Sequence, residues 1–580
     1  MNRYILAAGL AALSLATAHA QSCAAIDLQQ NWTAAQSEAF WFTSQGSRLM
    51  PYAWFLALEV SDTTRQTLLR DPSNMDRYGY ISVPPSPLNP DGLPIGFVKD
   101  TAAGQAEAIG FTCAACHTGS LKIRGQLVIV EGGPALSDFW LFLGETVAAL
   151  RTAESDTGKF ARFSVRVLRP NPSQADVQGL RVQMKEKLAD LETRVQQNMP
   201  SNPNGYGRVD AFGHILTRVL GQVLKEPANA APPYAPERAK QAPVSYPFLW
   251  DTPQHDVVQW NGAAPNTKVL SLGPLGRNVG EVLGVFGELE ITPGRNIWFL
   301  PFLNTPPQFK HSAKIANLHR LEEMVRSLWS PVWPKGCLPQ ANAATIARGR
   351  AVYTGQCAGC HRLLGEAERK DPNREITAIL KPLGDMAAES KGVAIHTDPT
   401  MAMNFAQRRA KTGPLKGAPN LIKFSPFGPE ATGHEILLAA VNGVLFGGID
   451  GAATAPVKVG DLMVNPVEQL RAFRSALEAG QTPRYKARPL NGIWATAPYL
   501  HNGSVPTLWD LLQPTSARPQ IFHVGSRDFD PQKVGLVTQP ADGTFIFNTS
   551  PQGNWRNGHE FGTSLPENQK RDLLEFLKTL

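Results

Sequence analysis

Cysteine and histidine are scarce in this sequence, which has 6 cysteines and 12 histidines among 580 residues. Because both residue types are rare, a motif that combines them at a fixed spacing seldom arises by chance. Long hydrophobic runs are also missing. Beyond a short apolar stretch at the N-terminus, no segment is apolar for long enough to cross a bilayer, so no membrane span is predicted.

The charge imbalance is small. Lysine and arginine total 56 against 49 acidic residues, which gives a formal net charge of +7. A charge this mild in a chain of this length mainly favours solubility, although a basic patch that docks an acidic redox protein stays open. No nucleic-acid partner is predicted.

The N-terminus has the three parts of a secretory signal. A basic start at Arg3 is followed by a mostly apolar run over residues 4–16 and by small residues up to Ala20. The run is too short to span a membrane. The pattern predicts a cleavable signal peptide over residues 1–20, and therefore a periplasmic or secreted protein.

Two short motifs carry most of the chemistry. Each reads C-x-x-C-H, the attachment sequence of a c-type haem, in which the thiols bind the haem and the histidine binds the iron. A redox C-x-x-C pair or half a zinc site is the alternative, but neither motif has the further Cys/His cluster that zinc requires. The sequence therefore predicts two covalently bound c-type haems. Their attachment residues are Cys113, Cys116 and His117 in the first motif, and Cys357, Cys360 and His361 in the second.

The fold class predicted from these patterns is mainly α, with extensive irregular chain and two cytochrome c-like haem domains. Prolines near residues 330–340 place a boundary between an N-terminal haem domain with insertions, residues 21–335, and a C-terminal cytochrome c-like domain, residues 336–580. A helix should run into Cys357, and another should close the chain. In small cytochromes c the first and last helices cross, so we expect Gly349 to admit Phe576 at close range.

Three local features are also predicted. The β-branched apolar run at residues 127–130 indicates a short strand, and residues 181–198 show helical spacing of apolar side chains, including Val182. Cys23 and Cys337 are the cysteines outside the haem motifs. An oxidising compartment favours a disulfide between them, with two free thiols or a lipidated Cys23 as the alternatives.

Residues 490–504, which read Leu-Asn-Gly-Ile-Trp-Ala-Thr-Ala-Pro-Tyr-Leu-His-Asn-Gly-Ser, resemble a signature of the bacterial di-haem cytochrome c peroxidase superfamily. More closely, the chain resembles the di-haem rubber oxygenases and related fatty-acid dioxygenases of that superfamily. The segments that carry this closer resemblance are residues 89–97, 250–256, 277–287, 398–402 and 558–563.

The resemblance implies different axial ligands for the two haems. His559 is expected opposite His361, because the C-terminal haem of the oxygenase branch has two histidine ligands. Met403 is the next candidate, since Met–His ligation raises the reduction potential. The other candidates are His396, His434, His501, His523, Met401 and Met463.

On the first haem the distal side is expected to lack a protein ligand. By resemblance, Phe286 lies above that iron; without the resemblance it is a buried core aromatic. Glu281 and Glu288 flank it, and a distal carboxylate that shuttles a proton would suit peroxide cleavage. Trp250 and Trp260 could carry electrons between the haems or simply pack in the core.

Three functions follow from these expectations. The first is dioxygenation of a hydrophobic unsaturated small molecule or polymer, with dioxygen at the first haem and electron transfer at the second. The second is hydrogen peroxide reduction, with electrons from a small redox protein. The third is plain electron transfer by two six-coordinate irons. The length of the chain argues against the third, because a carrier needs only a small domain per haem.

Overall fold

The structure is a computed structural model, and it describes residues 26–102, 104–168, 171–234, 242–266, 272–294, 305–383, 395–420, 423, 425–446 and 483–580. Within these ranges no strand is longer than six residues, whereas helices reach 25 residues. Much of the chain between them is irregular. None of the described helices is both long and apolar enough to cross a bilayer.

The α-helices are distributed along the whole described chain. They cover Ala34–Phe42, Tyr52–Ala57, Pro72–Arg77, Phe139–Ser155, Thr157–Leu168, Gln174–Asn198, Ala211–Leu216, Leu272–Gly284, Ile315–Arg326, Ala343–Gln356, Glu366–Lys370, Thr400–Gln407, Gly433–Phe446, Leu508–Leu511 and Glu567–Leu577.

The described strands form small antiparallel sheets. One sheet has three strands, in the order Met50–Pro51, Ala108–Phe111 and Phe97–Asp100. The two-stranded pairs are Thr118–Ile123 with Gln126–Glu131, Arg208–Val209 with Val244–Ser245, Val257–Val258 with Ala264–Pro265, Leu289–Thr292 with Gln308–His311, Ile379–Pro382 with Arg484–Ala487, Arg409–Lys411 with Glu430–Thr432, Pro419–Asn420 with Ser425–Pro426, Ile521–Val524 with Phe545–Asn548, and Phe529–Asp530 with Gly535–Leu536.

The strand predicted at residues 127–130 is confirmed within Gln126–Glu131. The predicted helix at residues 181–198 is also present, but it begins earlier, at Gln174. Ser173 accepts a hydrogen bond from the backbone N–H of Asp176, whose carboxylate reaches back to Ser173 N–H, and this capping box fixes the start. Met184 and Leu191 on this helix are buried, as the apolar spacing predicts, whereas Val182 is 55 % exposed.

The largest apolar core joins both halves of the chain. It contains Val128 and Trp250 from the N-terminal half and Trp494, Leu573 and other residues from the C-terminal half. Because these side chains exclude water together, the two halves stabilise each other. The domain boundary at residue 335 stays a prediction.

The contact predicted between the helix before Cys357 and the helix that closes the chain is confirmed. Helix Ala343–Gln356 packs closely against helix Glu567–Leu577. A Cβ built on Gly349 would lie 1.9 Å from the carbonyl oxygen of Asp572 and 2.8 Å from Cβ of Phe576. Only glycine therefore lets these two helices approach so closely.

Cys337 takes part in a disulfide, whereas the four motif cysteines are free. Cys23, the partner that the sequence predicts for Cys337, lies outside the described residues, as does the whole predicted signal peptide.

We expect Gly349→Ala to lower the free energy of unfolding by about 1–3 kcal/mol, because the new methyl group overpacks the helix contact. Gly179 is the matched control: it lies within helix Gln174–Asn198 and nothing lies within 4 Å of a Cβ built on it. Gly179→Ala should raise stability by about 0.5–1 kcal/mol, since alanine is the better helix former. Thermal or urea unfolding measures both, and equal effects of the two substitutions would contradict the packing argument.

Candidate functional site

The first C-x-x-C-H motif follows a buried strand, and a long-range hydrogen bond orients its histidine. Strand Ala108–Phe111 leads into a single 3₁₀ turn, Cys113–Ala115, whose start is capped by the hydroxyl of Thr112. The Nδ1 atom of His117 lies 2.8 Å from the carbonyl oxygen of Pro247. A carbonyl can only accept, so Nδ1 donates and Nε2 is left with its lone pair.

The second motif repeats this arrangement. Helix Ala343–Gln356 ends at Cys357, and the Nδ1 atom of His361 donates to the carbonyl oxygen of Arg488 at 2.7 Å. A histidine that binds metal through one nitrogen usually donates the other to such an acceptor. Both histidines therefore have the tautomer of a metal ligand.

Burial favours the neutral form of both imidazoles. It lowers the pKa of His117 to about 4, and it lowers the pKa of His361, in each case against the opposing effect of the carbonyl acceptor. Neutral imidazole is the form that binds metal. Burial also raises the pKa of the thiols, to about 12 for Cys116 and about 11 for Cys357.

Each motif opens into a cavity. The first cavity is lined by Cys113, His117 and Glu281, among others. The second is lined by Cys357, Cys360, His361 and His559, among others. Four residues line both cavities and are called the shared wall below: Pro247, Trp260, Lys486 and Arg488.

The donor set in these cavities fits c-type haem. The first cavity is lined by the thiol of Cys113 and the second by those of Cys357 and Cys360, and each has a neutral imidazole for the iron. The shared wall adds the amino group of Lys486, which would pair with a haem propionate. The pKa of Lys486 lies well below its usual value, mainly because the side chain is buried and secondly because the positively charged Arg488 is near. An anionic group in the cavity would raise this pKa again.

His559 lies across the second cavity from His361. The centroids of the two rings are 6.1 Å apart. Two metal–nitrogen bonds of about 2 Å each, plus the distance from each nitrogen to its ring centre, also sum to about 6 Å. The separation of the two rings is therefore that expected of two imidazoles that share one metal ion.

The other proposed ligands of the second iron are less well placed. Met403 is 36 % exposed and does not line the cavity, and Met463 lies outside the described residues. His501 lines the cavity but stacks on Tyr485, with ring centroids 4.1 Å apart. His396, His434 and His523 are not among the lining residues.

The first cavity differs from the second in the other side chains that could bind an iron. Among its described lining residues, His117 is the only histidine and there is no methionine. Glu281 is there instead, 3.3 Å from the side-chain amide nitrogen of Gln259. Burial raises the pKa of Glu281, against a smaller opposing effect of Arg277. This carboxyl group is therefore suited to hold a proton.

Phe286 is buried beside the first motif but not among the residues that line its cavity. It follows helix Leu272–Gly284 with a left-handed φ of 67°, and its ring packs 6.1 Å from that of Phe111 and 6.4 Å from that of Phe139. Glu281 on the helix lines the cavity, whereas Phe286 belongs to the buried cluster that also contains Ala115 of the motif. Its place above the iron stays a prediction.

The two tryptophans have different positions. Trp260 belongs to the shared wall and donates from its indole nitrogen to the carbonyl of Ser245 at 2.9 Å. Trp250 is fully buried and donates to the carbonyl of Asn491 at 2.8 Å. Trp260 therefore lies between the cavities, while Trp250 packs in the core.

Sequence reasoning missed Lys486 and Arg488. They stand just before the signature at residues 490–504, and that proximity was the available signal. Charged residues are seldom buried unless they are paired, so their place in the shared wall could not be read from the pattern.

Part of the chain matches a known family. Residues 484–523 match the model of the family described as "RoxA-like, cytochrome c-like". This match contains Lys486, Arg488 and the signature segment. It supports a c-type haem, a relationship to RoxA-like di-haem cytochromes and a haem-dependent oxidoreductase activity.

The chain belongs to the family of y4iJ, an uncharacterized protein of Sinorhizobium fredii (strain NBRC 101917 / NGR234). The two are 32 % identical over 594 residues, which cover 95 % of this chain and 93 % of y4iJ. A second uncharacterized protein of the same organism, y4iM, is 38 % identical over 141 residues, which cover 19 % of this chain and 32 % of y4iM.

The geometry predicts two haems per chain. Denatured protein should keep haem-linked peroxidase staining on a gel, because thioether bonds survive unfolding. Replacing Cys113 and Cys116 together by serine should halve the haem content, and the same change at Cys357 and Cys360 should do likewise. Pyridine haemochrome absorbance per chain measures this. Haem that acid–acetone extracts from the unmodified protein would contradict covalent attachment.

His559→Gly should convert the second iron from a low-spin to a high-spin state, because one of its two imidazole ligands is lost. Added imidazole should restore the low-spin electron paramagnetic resonance signal by filling the vacated space. His523→Gly is the control, since His523 donates to or accepts from Thr544 outside the cavity. An unchanged low-spin signal in His559→Gly would show that another residue binds this iron.

Proposed function

We propose that this protein is an exported di-haem c-type cytochrome that acts as a dioxygenase on a hydrophobic unsaturated substrate. When bound, the first haem would supply the site for dioxygen and the second would transfer electrons. The location, periplasmic or secreted, belongs to the same proposal.

The observation that carries the proposal is the difference between the two cavities. The second places His559 at bis-histidine distance from His361, with ring centroids 6.1 Å apart. The first offers His117 and no other histidine or methionine among its described lining residues. An iron with two strong protein ligands is limited to electron transfer, whereas one with an open position binds small oxygen species.

The surroundings of the first motif favour an apolar substrate. Phe40, Leu249, Leu321 and Val325 line part of its cavity. Behind the motif lies the aromatic cluster that contains Phe286. A substrate with a carbon–carbon double bond and few polar groups would lose little hydration energy on entering such a region.

The dioxygenation reaction also requires no reactant other than dioxygen and the substrate. Both atoms of dioxygen enter the substrate as the double bond is attacked, so no external reductant is consumed. The RoxA-like match at residues 484–523 supports this branch of haem chemistry.

Peroxide reduction is the second candidate, because Glu281 lines the same cavity as His117. A buried carboxyl group with a raised pKa could pass a proton from one peroxide oxygen to the other. This reaction takes two electrons and two protons per peroxide and releases two waters, so it requires a donor such as a small redox protein.

Oxygen uptake with matched substrate pairs tests the proposal. Each unsaturated lipid or polyisoprene is compared with its saturated analogue, which has the same apolar surface but no double bond. We expect uptake with the unsaturated member only, and products that contain both oxygen atoms from ¹⁸O₂. No uptake, together with rapid oxidation of reduced cytochrome c by peroxide, would contradict the dioxygenase.

Glu281→Gln separates the two reactions further. For a peroxidase it should lower turnover by about 10²–10⁴-fold, because the proton shuttle is lost. For the dioxygenase, oxygen uptake should change far less. Glu288→Gln is the control, since Glu288 is 54 % exposed in its side chain and lies outside the cavity.

A further inference from the structure

Arg488 contacts the chain segment that carries the acceptor of His117. Its guanidinium donates to the carbonyl of Phe248 at 3.1 Å and to the carbonyl of Trp250 at 2.9 Å. Pro247, whose carbonyl accepts from His117, is the residue immediately before Phe248. The two donor bonds therefore restrain the peptide that holds the first imidazole.

The backbone of the same residue holds the second imidazole. The carbonyl of Arg488 accepts from Nδ1 of His361 at 2.7 Å. A continuous path of covalent and hydrogen bonds thus joins the two motif histidines through Pro247, Phe248 and Arg488.

Several contacts make this path rigid. The guanidinium carbon of Arg488 lies 3.4 Å from the centre of the Phe248 ring, and the residue is 7 % exposed. The Phe248 ring stacks on Trp250, whose indole nitrogen donates to the carbonyl of Asn491. The side-chain amide of Asn491 donates to Asp251 at 2.5 Å. These contacts therefore restrain residues 248–251 and 488–491 against each other.

We propose that Arg488 is a positioning residue that holds the proximal histidines of both haems in one hydrogen-bonded frame. The proposal rests on the two-haem part of the proposed function, but not on its substrate or on oxygen. The strength of the Nδ1–H bond to a carbonyl sets how basic an imidazole ligand is, and so tunes the metal. A substitution of Arg488 should accordingly change the reduction potentials of both irons.

Lysine is the informative replacement, since it keeps the positive charge but cannot form the two-pronged contact. In Arg488→Lys the Nδ1–H bonds loosen, both imidazoles become weaker donors, and the midpoint potentials of both haems rise. We expect about a tenfold change in the reduction equilibrium of each iron, which corresponds to about 59 mV. Spectroelectrochemical titration of the holoprotein, with each haem followed by its own absorption and paramagnetic resonance signals, measures this.

Arg208→Lys is the matched control. Arg208 is also buried, also lies over a phenylalanine ring, at 3.9 Å from the centre of Phe547, and also donates to backbone carbonyls. It does not line either cavity. This variant should leave both potentials unchanged while costing a similar amount of stability.

Phe248→Leu provides a second variant in case Arg488→Lys loses haem during folding. It removes the ring beneath the guanidinium but keeps the charge and both carbonyl acceptors. We therefore expect a smaller rise in the midpoint potentials of both haems. A shift confined to the second haem, no shift in either variant, or an equal shift in Arg208→Lys would overturn the proposal. Fewer than two haems in the unmodified protein would instead contradict the proposed function.

Discussion

The hydrogen bond from each motif histidine to a backbone carbonyl decides what the rest of the site can do. It fixes the ring, fixes the tautomer and leaves one nitrogen for iron. The acceptors are far away in sequence: Pro247 is 130 residues from His117, and Arg488 is 127 residues from His361. A C-x-x-C-H motif supplies the histidine ligand, but its orientation is set by contacts that exist only in the folded chain.

The shared wall follows from this arrangement. Pro247 and Arg488, which carry the two acceptors, line both cavities together with Trp260 and Lys486. The largest apolar core also crosses from one half of the chain to the other. The two halves are therefore joined where the histidines are held, and through this common support a change at one proposed haem site would affect the other. Such an effect is reciprocal for equilibrium properties.

Features with a strict local requirement could be predicted from the sequence. The C-x-x-C-H spacing identifies the attachment residues, and Gly349 marks the place where a partner helix leaves no room for a side chain. The family resemblance predicts His559 as the second ligand of the second iron, and its ring lies 6.1 Å from that of His361. Features that depend on tertiary contacts were not accessible. Ser173 moves the start of a helix through its capping box, and Val182 is exposed although it follows an apolar pattern.

The positions of Phe286 and Arg488 also depend on tertiary contacts and could not be predicted from the sequence. Phe286 stands in a segment that resembles the oxygenases, and Arg488 stands just before the signature at residues 490–504. Yet spacing does not say that Glu281 lines the cavity while Phe286 packs against Phe111 outside it. Nor does it say that one arginine contacts the supports of two histidines, because that requires residues 247–250 and 488 to meet in space.

The central claim is that one iron is open and the other is closed by His559. Carbon monoxide binding to the fully reduced protein tests it most directly, because this ligand occupies a free axial position and competes poorly with a second histidine. The account predicts one carbon monoxide per two haems, with the spectral change confined to the haem attached at Cys113 and Cys116. Two molecules bound, none bound, or binding at the haem attached at Cys357 and Cys360 would contradict it.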